Sequence, residues 1–331
     1  MNHKPGHIPM NNSKVAVIIV NWNGWRDTEE CLESLQRVTY QNFSVYVVDN
    51  GSTDDSVSQL ETYKLSPQQN SEQAAIRYKL IRSSENLGFA GGNNIGIKKS
   101  LEDGAEHILL LNNDTVVSSD FLSKLIEAAQ SDSKIGIIGP KIYFPDDSQK
   151  SINYQLSAKS YRIWFGGGKL NWLQTRGYHL DYEVLDDPHT LHVTRYTLRD
   201  VDYVTGCCLL IKKSAIERIG LLSEDYFLYY EDVDWCLRAK KAGFRIAYVP
   251  SAHIWHKVSR SAKSGSASYV YYHVRNGLML SWRHGDILRR AILALFILWT
   301  AAKQIIKLAI PSKRTWAKAA LKGACDFLRS R

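Results

Sequence analysis

Asp114 closes the stretch His107-Ile-Leu-Leu-Leu-Asn-Asn-Asp-Thr115, where four apolar residues run into two carboxamides and a carboxylate. Oxygen donors placed there suit a hard divalent cation, Mg²⁺ or Mn²⁺, bridging to phosphate. An Asn-rich turn that caps a helix would use the same residue types. A second group of acids lies in Tyr229-Tyr-Glu-Asp-Val-Asp-Trp-Cys-Leu-Arg238. Val233, Cys236 and Leu237 trace a buried helical stripe, which puts Glu231 and Asp232 at the helix start, where the dipole stabilises anions. Capping acids are the plain reading, but so many carboxylates beside aromatics favour a reactive site. His253 and His256 carry ligand chemistry near a strand end, although their spacing alone makes no metal site. Gly88, Gly91 and Gly92, in Asn86-Leu-Gly-Phe-Ala-Gly-Gly-Asn-Asn94, allow close backbone approach at a helix start. Neither G-x-G-x-x-G nor G-K-[ST] is present, which excludes a Rossmann dinucleotide fingerprint and a P-loop.

The elements that must position these residues are strands alternating with helices. Val15–Val20, Phe43–Val48, Ile76–Ile81 and Ile108–Leu111 are short apolar runs that read as buried strands. Helices are expected after Asp27 or Thr28, after Asp55, from Asn86 to about Leu101, and from Ser119 to Gln130. Ile135–Ile138, Val201–Ile211 and Phe244–Val249 read as further strands, with Thr205-Gly206 in the middle of the second. Such alternation implies right-handed βαβ units and a mostly parallel sheet. Asn21, Asp49, Asn86 and Asp114 then all fall at strand ends and gather on one edge, where an open α/β sheet binds its ligand. Between Tyr143 and Asp200 the periodicity is lost. That aromatic and glycine-rich segment, with Trp164 and Trp172, reads as irregular β-structure beside the active edge, suited to sugars, to lipid headgroups or to a small aromatic core. Lys257–Ser268 reads as a mobile, phosphate-contacting loop and Ser268–Arg283 as a helix.

The chain has 331 residues, 44% hydrophobic and 23% charged, which is ordinary globular composition. Its net charge of +9 is carried entirely by Arg283–Arg331, where eleven Lys/Arg face two Asp/Glu. The body is neutral, and that argues against nucleic-acid binding, which needs a basic stripe within the fold. Five cysteines, none in a C-x-x-C pair, point to a reduced, cytoplasmic chain without disulfides or zinc. Met1–Ser13 is polar, has two prolines and lacks an apolar signal core, so residues 1–13 read as a disordered N-terminus.

Six segments in order resemble the family 2 inverting glycosyltransferases of the glycosyltransferase A fold, and within them the bacterial rhamnosyltransferase-like members. They are Val-Asn-Trp-Asn (20–23), Val-Asp-Asn-Gly-Ser-Thr-Asp (48–54), the 86–94 stretch, Asn-Asn-Asp (112–114), the 230–238 stretch and His-Ile-Trp-His (253–256). The resemblance implies a Rossmann-like mixed sheet flanked by helices over residues 14–283, with a nucleotide-binding half (14–140) and an acceptor half (141–283). It implies that Asn21 and Asp49 hold the nucleobase and ribose, with Asn23 and Ser52 beside them. Asn86, Gly88, Gly92 and Asn93 would border the nucleotide and sugar pocket. Asn112, Asn113 and Asp114 stand where the family has its D-x-D motif, with Asn in the first place, so Asp114 is the firm metal ligand and His256 the second. Asp232 matches the general base, and Glu231 and Trp235 the acceptor contacts. The implied donor is a nucleoside-diphosphate sugar, dTDP-rhamnose first and UDP-hexose or UDP-galactofuranose as alternatives. The implied acceptor is a glycolipid or polysaccharide of the cell surface. A nucleotidyltransferase would also set carboxylates at strand ends, but Asn21-Trp-Asn-Gly24 lacks the basic loop it needs. An inactive glycan-binding scaffold would have no use for Asp114, Asp232 and His256 together.

Residues 284–331 form a separate basic tail. Its longest uncharged run, Ala291–Ala302, is twelve residues, against about 20 needed to span a bilayer. Arg289, Lys303 and Lys307 project in one direction from a helix that is otherwise apolar. This describes an amphipathic helix lying on an anionic membrane surface, peripheral on the inner face of the cell membrane, and Lys313–Arg331 repeats the pattern. The alternative is a helical pair that packs on the catalytic domain or forms a homodimer.

Overall fold

The structure is a computed structural model that describes residues 12–63, 78–145, 161–174, 176–186, 197–257 and 265–330. The chain begins with β1 (Val15–Asn21), α1 (Trp25–Leu35), β2 (Phe43–Asn50), α2 (Ser56–Thr62), β3 (Tyr78–Ser83), α3 (Gly88–Glu102) and β4 (His107–Leu111). It continues through β5 (Thr115–Val117), α4 (Phe121–Ser131), β6 (Ile135–Tyr143), β7 (Tyr161–Phe165), β8 (Gly168–Asn171), β9 (Arg176–His179), β10 (Leu185–Asp186) and β11 (Arg199–Asp200). Then come β12 (Cys208–Lys212), α5 (Lys213–Ile219), α6 (Glu231–Lys241), β13 (Arg245–His256) and the C-terminal helices α7 (Ala267–His284), α8 (Ile287–Leu308) and α9 (Arg314–Arg329).

β-Branched and leucine-rich runs make the centre of the sheet, and all five residues of β4 are buried. The strand order is β10-β7-β6-β12-β4-β1-β2-β3. β1 to β4 are parallel, as the alternation predicts. The second half departs from a mostly parallel sheet, because β12 runs antiparallel to both β4 and β6. No helical crossover separates β12 from its neighbour's direction, so the period of the sequence could not fix its sense. Thr205 and Gly206 also lie outside this strand, in the turn that leads into it. α3 lies flat on β1 and β2 because it offers glycines there: a Cβ on Gly96 would sit 2.5 Å from Ile18, and one on Gly92 3.0 Å from Val20. Residues 1–11, Ile76 and most of the 257–268 loop fall outside the described residues.

β13 pairs in parallel with β6 from Arg245 to Trp255, with a register shift between Val249 and His253, and beyond that shift its other edge pairs antiparallel with β5. This second pairing sets His256 across from Thr115, next to Asp114. At the C-terminus, α9 packs on α7 through Ala317, Ala320, Gly323 and Phe327, all buried. Gly323 is required there, since a Cβ would meet the Tyr271 carbonyl at 2.7 Å. α8 behaves differently: only Leu293 is buried, while Ile287, Leu288, Leu295, Leu298, Trp299, Ile305 and Ile306 are exposed. By length and composition this helix is long and apolar enough to cross a membrane, despite the interruption by Lys303.

Candidate active site

The ends of β1 and β2 carry a continuous hydrogen-bond chain. Asn21 is fully buried, and its Nδ2 donates to Asp49 Oδ2 at 2.9 Å and to Ser52 Oγ at 3.2 Å. Asp49 Oδ1 accepts from the Ser52 N–H at 3.0 Å. Thr28, one turn into α1, donates to Asn21 Oδ1 at 2.9 Å and accepts from Asn113 Nδ2 at 3.1 Å. Asn23, at φ 52°, accepts from the Thr53 N–H at 2.8 Å. One strand over, Asn50 Nδ2 donates to Asn86 Oδ1 and to the Gly88 carbonyl, both at 3.0 Å. Gly88 needs its positive φ of 72°, and a Cβ there would overlap the Phe227 carbonyl. The 86–94 loop is thereby pressed onto the segment that precedes α6.

Asp114 and His256 form the next part. Both are buried and face each other, with Asp114 Oδ1 and His256 Nε2 3.1 Å apart; beyond this contact, no carboxylate oxygen or ring nitrogen of the pair has a hydrogen-bond partner among the described residues. Burial alone would raise the Asp114 carboxyl; the adjacent imidazole of His256 outweighs it and holds the group below the usual carboxylate range. Trp164 from β7 covers His256 edge-to-face, with ring centroids 4.6 Å apart. A carboxylate oxygen and an imidazole nitrogen set side by side are donors of the kind that bind Mg²⁺ or Mn²⁺. Among the described residues no group of three His, Cys, Asp or Glu is placed to hold a metal.

Asp232 lies at the start of α6. Its Oδ2 accepts from the Gly206 N–H and its Oδ1 from the Val233 N–H, each at 2.7 Å. Burial raises its carboxyl above the usual range in spite of these bonds. Glu231 is buried, its Oε2 has no partner, and burial followed by the charge of Asp232 pushes it well up. The turn before them is strained: Tyr229 and Tyr230 have φ of 68° and 74°, a conformation that non-glycine residues enter at a cost of about 1–3 kcal/mol each. Asn276 of α7, fully buried, holds that turn by donating to the Leu228 carbonyl at 2.8 Å and the Tyr229 carbonyl at 3.0 Å. Gly206 and Cys207 join the parts. While Gly206 bonds Asp232, the Cys207 carbonyl accepts from Asn112 N–H at 2.9 Å.

The structure thus brings together Asn21, Asn23, Asp49, Ser52, Asn86, Gly88, Asn112, Asn113, Asp114, His256, Glu231 and Asp232. Four expectations need correction. Trp235 cannot reach an acceptor: it is fully buried and its indole N–H donates to the Gly220 carbonyl at 2.9 Å. Gly92 lies inside the contact of α3 with the sheet, and the side chain of Asn93, almost fully buried, donates back to the Phe89 carbonyl. His253 turns into an aromatic cluster with Tyr143 and Trp255, away from His256. Lys257 is bound to Asp27 and Glu30 of α1 at 2.8 and 2.5 Å, which removes it as a loop contact to phosphate. Asn50 and Asn276 were not foreseen, whereas Trp164 lay in the aromatic segment expected beside the active edge and the Thr205-Gly206 break in an apolar run hinted at Gly206.

Comparison with known proteins bears on this arrangement. A family model described as Glycosyl transferase family 2 matches residues 16–220. The chain is 29% identical over 292 residues to the N-acetylglucosaminyl-diphospho-decaprenol L-rhamnosyltransferase of Mycobacterium tuberculosis, covering 82% of this chain and 85% of that one. It is 26% identical over 281 residues to the dTDP-rhamnosyl transferase RfbF of Shigella flexneri, covering 81% and 80%. A longer, uncharacterized protein of Sinorhizobium fredii is 28% identical over 261 residues, and there the match spans 76% of this chain but only 25% of the relative. Among solved structures, a mannosyltransferase of Pyrobaculum calidifontis in complex with GDP-Man and Mn²⁺ aligns with a TM-score of 0.55 at 14% identity, covering 96% of this chain and 88% of that one. The likeness shows the glycosyltransferase A fold, a mixed sheet with flanking helices. With most of its sheet inside the matched region, the chain belongs to glycosyl transferase family 2, and it is a glycosyltransferase.

Proposed function

We propose that this enzyme transfers rhamnose from dTDP-rhamnose, with inversion, to a sugar borne by a lipid or polysaccharide. The observation that carries this reading is the meeting of Asp114, His256 and Asp232 around Gly206 and Cys207. The names of the relatives from M. tuberculosis and S. flexneri support rhamnose, and the former supports an acceptor linked to a lipid diphosphate. Asp232 is the base: it takes the proton of the acceptor hydroxyl as that oxygen bonds the anomeric carbon from the face opposite the nucleotide. The anomeric carbon–phosphate oxygen bond breaks, and dTDP leaves with the electron pair. Glu231 lies beside the base to bond an acceptor hydroxyl. Asn21, Asn23, Asp49 and Ser52 hold the nucleoside, and Asn86 and Gly88 shape the wall behind the sugar. Asp114 and His256 would hold Mg²⁺ or Mn²⁺, whose charge offsets that of the departing diphosphate. Their oxygen and nitrogen donors, which among the described residues meet only each other, fit that role. The exposed apolar and basic surface of α8 supports a peripheral position on the anionic inner face of the cell membrane.

The test is transfer by the purified chain from dTDP-rhamnose, UDP-glucose and UDP-galactofuranose, with Mn²⁺ or with EDTA, and assignment of the product anomer by NMR. The expected result is metal-dependent transfer from dTDP-rhamnose with inverted configuration. Transfer only from a UDP-sugar refutes the donor, full activity in EDTA refutes the metal, and a retained anomer refutes the single-base mechanism. Sedimentation with anionic liposomes that weakens at high salt is expected for α8; indifference at low salt refutes the membrane position.

A further inference from the structure

Three carboxylates crowd the first turn of α6, and the third, Asp234, takes no part in the proposed chemistry. Its side chain is 3% exposed, and each of its oxygens has a partner. Arg238, one turn further along α6, donates from Nε to Oδ2 at 2.8 Å. The same guanidinium donates to the Ile219 and Leu221 carbonyls at the end of α5. His284, the last residue of α7, donates from Nε2 to Oδ1, also at 2.8 Å. A carboxylate only accepts, so this bond fixes the His284 proton on Nε2. Burial alone would raise the Asp234 carboxyl; His284 and Arg238 outweigh it and hold the group below the usual carboxylate range.

Asp234 is placed to pass this anchoring on to the base. Its own N–H donates to the Tyr230 carbonyl at 2.8 Å, which ties the strained residue at φ 74° to the helix. Asp232 lies between these two residues in the chain and bonds Gly206. His284 is itself steadied by the next helix. Arg290 of α8 donates from Nε to the Trp282 carbonyl at 3.0 Å and lays its guanidinium 4.8 Å over the Trp282 ring. Without His284, Asp234 Oδ1 loses its donor in a place closed to water. The carboxylate must then take a proton or turn outward, and the first turn of α6 moves with it.

We propose that His284 is a positioning residue for the transfer: through Asp234 it fixes the first turn of α6, and so the place from which Asp232 meets the acceptor hydroxyl. The proposal rests on the general-base reading of Asp232 and extends the working unit to the last residue of α7, 50 residues along the chain from Asp234. Of the acids in this turn, Asp232 is kept for the proton and Asp234 for the anchor.

Two variants of the full chain test it. His284→Leu keeps bulk and removes the donor, whereas His284→Gln keeps an N–H that can reach Oδ1. With dTDP-rhamnose as donor and hexyl-diphosphoryl N-acetylglucosamine as acceptor, His284→Leu should lower kcat by about 10- to 100-fold, the cost of a misplaced group, with donor KM unchanged. His284→Gln should restore most of that loss. Amide hydrogen exchange gives a readout that needs no substrate. His284→Leu should speed exchange across residues 231–236 and leave β1 and β2 as in the wild type, and His284→Gln should slow it again. Normal kcat or unchanged exchange in His284→Leu overturns the proposal. So does faster exchange throughout the sheet, or a His284→Gln as impaired as His284→Leu. Asp232→Asn, measured alongside, separates the two readings. If it is inactive while His284→Leu turns over normally, the positioning role alone fails; if it is active, the base reading fails.

Discussion

Along the ends of β1 and β2 the polar side chains have found protein partners, whereas between β5, β13 and α6 buried polar atoms stand without any. Asn21, Asp49, Thr28 and Ser52 bond one another. Among the described residues Asp114 and His256 meet only each other, and Glu231 leaves Oε2 unpaired. The backbone repeats the contrast, since Tyr229 and Tyr230 precede α6 in left-handed conformation. In the proposed function the first region is a finished surface for the nucleotide, and the second holds unmade bonds worth about 1–3 kcal/mol apiece that a ligand would complete.

The sharpest test of that contrast is at Asp232. Asp232→Asn should lower kcat by about 10² to 10⁴-fold, the usual contribution of a general base, and leave dTDP affinity intact. Near-normal turnover would remove Asp232 from the role and the contrast with it. A smaller loss should follow from Asn276→Leu, which frees the Leu228 and Tyr229 carbonyls. Misplacement by about 1 Å can cost up to about 10²-fold in rate, so a fall in kcat is expected with donor KM unchanged; an equal fall in donor affinity would mean general unfolding. Stability should divide the regions too. Asp49→Ala takes one acceptor from Asn21 and leaves the Ser52 amide without one, and should cost about 1–3 kcal/mol in urea melts without metal. Asp114→Ala removes a carboxylate whose one close partner is His256, and should cost less than Asp49→Ala, about 1 kcal/mol or below, in the same melts. Equal damage at both positions would end the comparison.

The smallest effect concerns pH. Burial and Asp232 raise Glu231 well above its ordinary range, so the folded chain keeps a proton that the unfolded chain loses near pH 4.3, roughly the free glutamate value. A raised folded pKa means stability that is present below that value and lost as pH rises. Wild type should therefore lose stability relative to Glu231→Gln as pH climbs from about 4 to 8. Parallel curves of Tm against pH for the two proteins would show that Glu231 is not proton-linked.

The parts legible in the sequence were those that depend on short-range pattern. Apolar runs ending in Asn21, Asp49 and Asp114 placed these residues on one edge, because a buried strand and the polar residue after it are neighbours in the chain. What escaped depends on partners far apart. Asn276 meets Tyr229 across 47 residues, and Gly206 meets Asp232 across 26. Neither residue type is unusual where it stands. Trp235 misled for the same reason: beside Glu231 and Asp232 it looked like an acceptor contact, but a helix sends it to another face, where Gly220 takes its N–H. In the tail, α8 and α9 carry similar basic and apolar residues, and only the cover that α7 gives to Ala317, Gly323 and Phe327 separates a packed helix from an open one.

The register shift in β13 bears on the order in which the molecule assembles. The β1–α1–β2 unit closes over a short span of chain, while Asp114 must wait for His256, whose strand is made more than a hundred residues later and pairs with β5 only beyond the shift. Long loops close slowly, and a strand with two registers available can pair first in the wrong one. Refolding from urea should therefore restore dTDP binding before Mn²⁺ dependence appears, and a deletion within residues 250–252 should widen the gap between the two. Simultaneous recovery would show that the late strand is already in place when the early half closes.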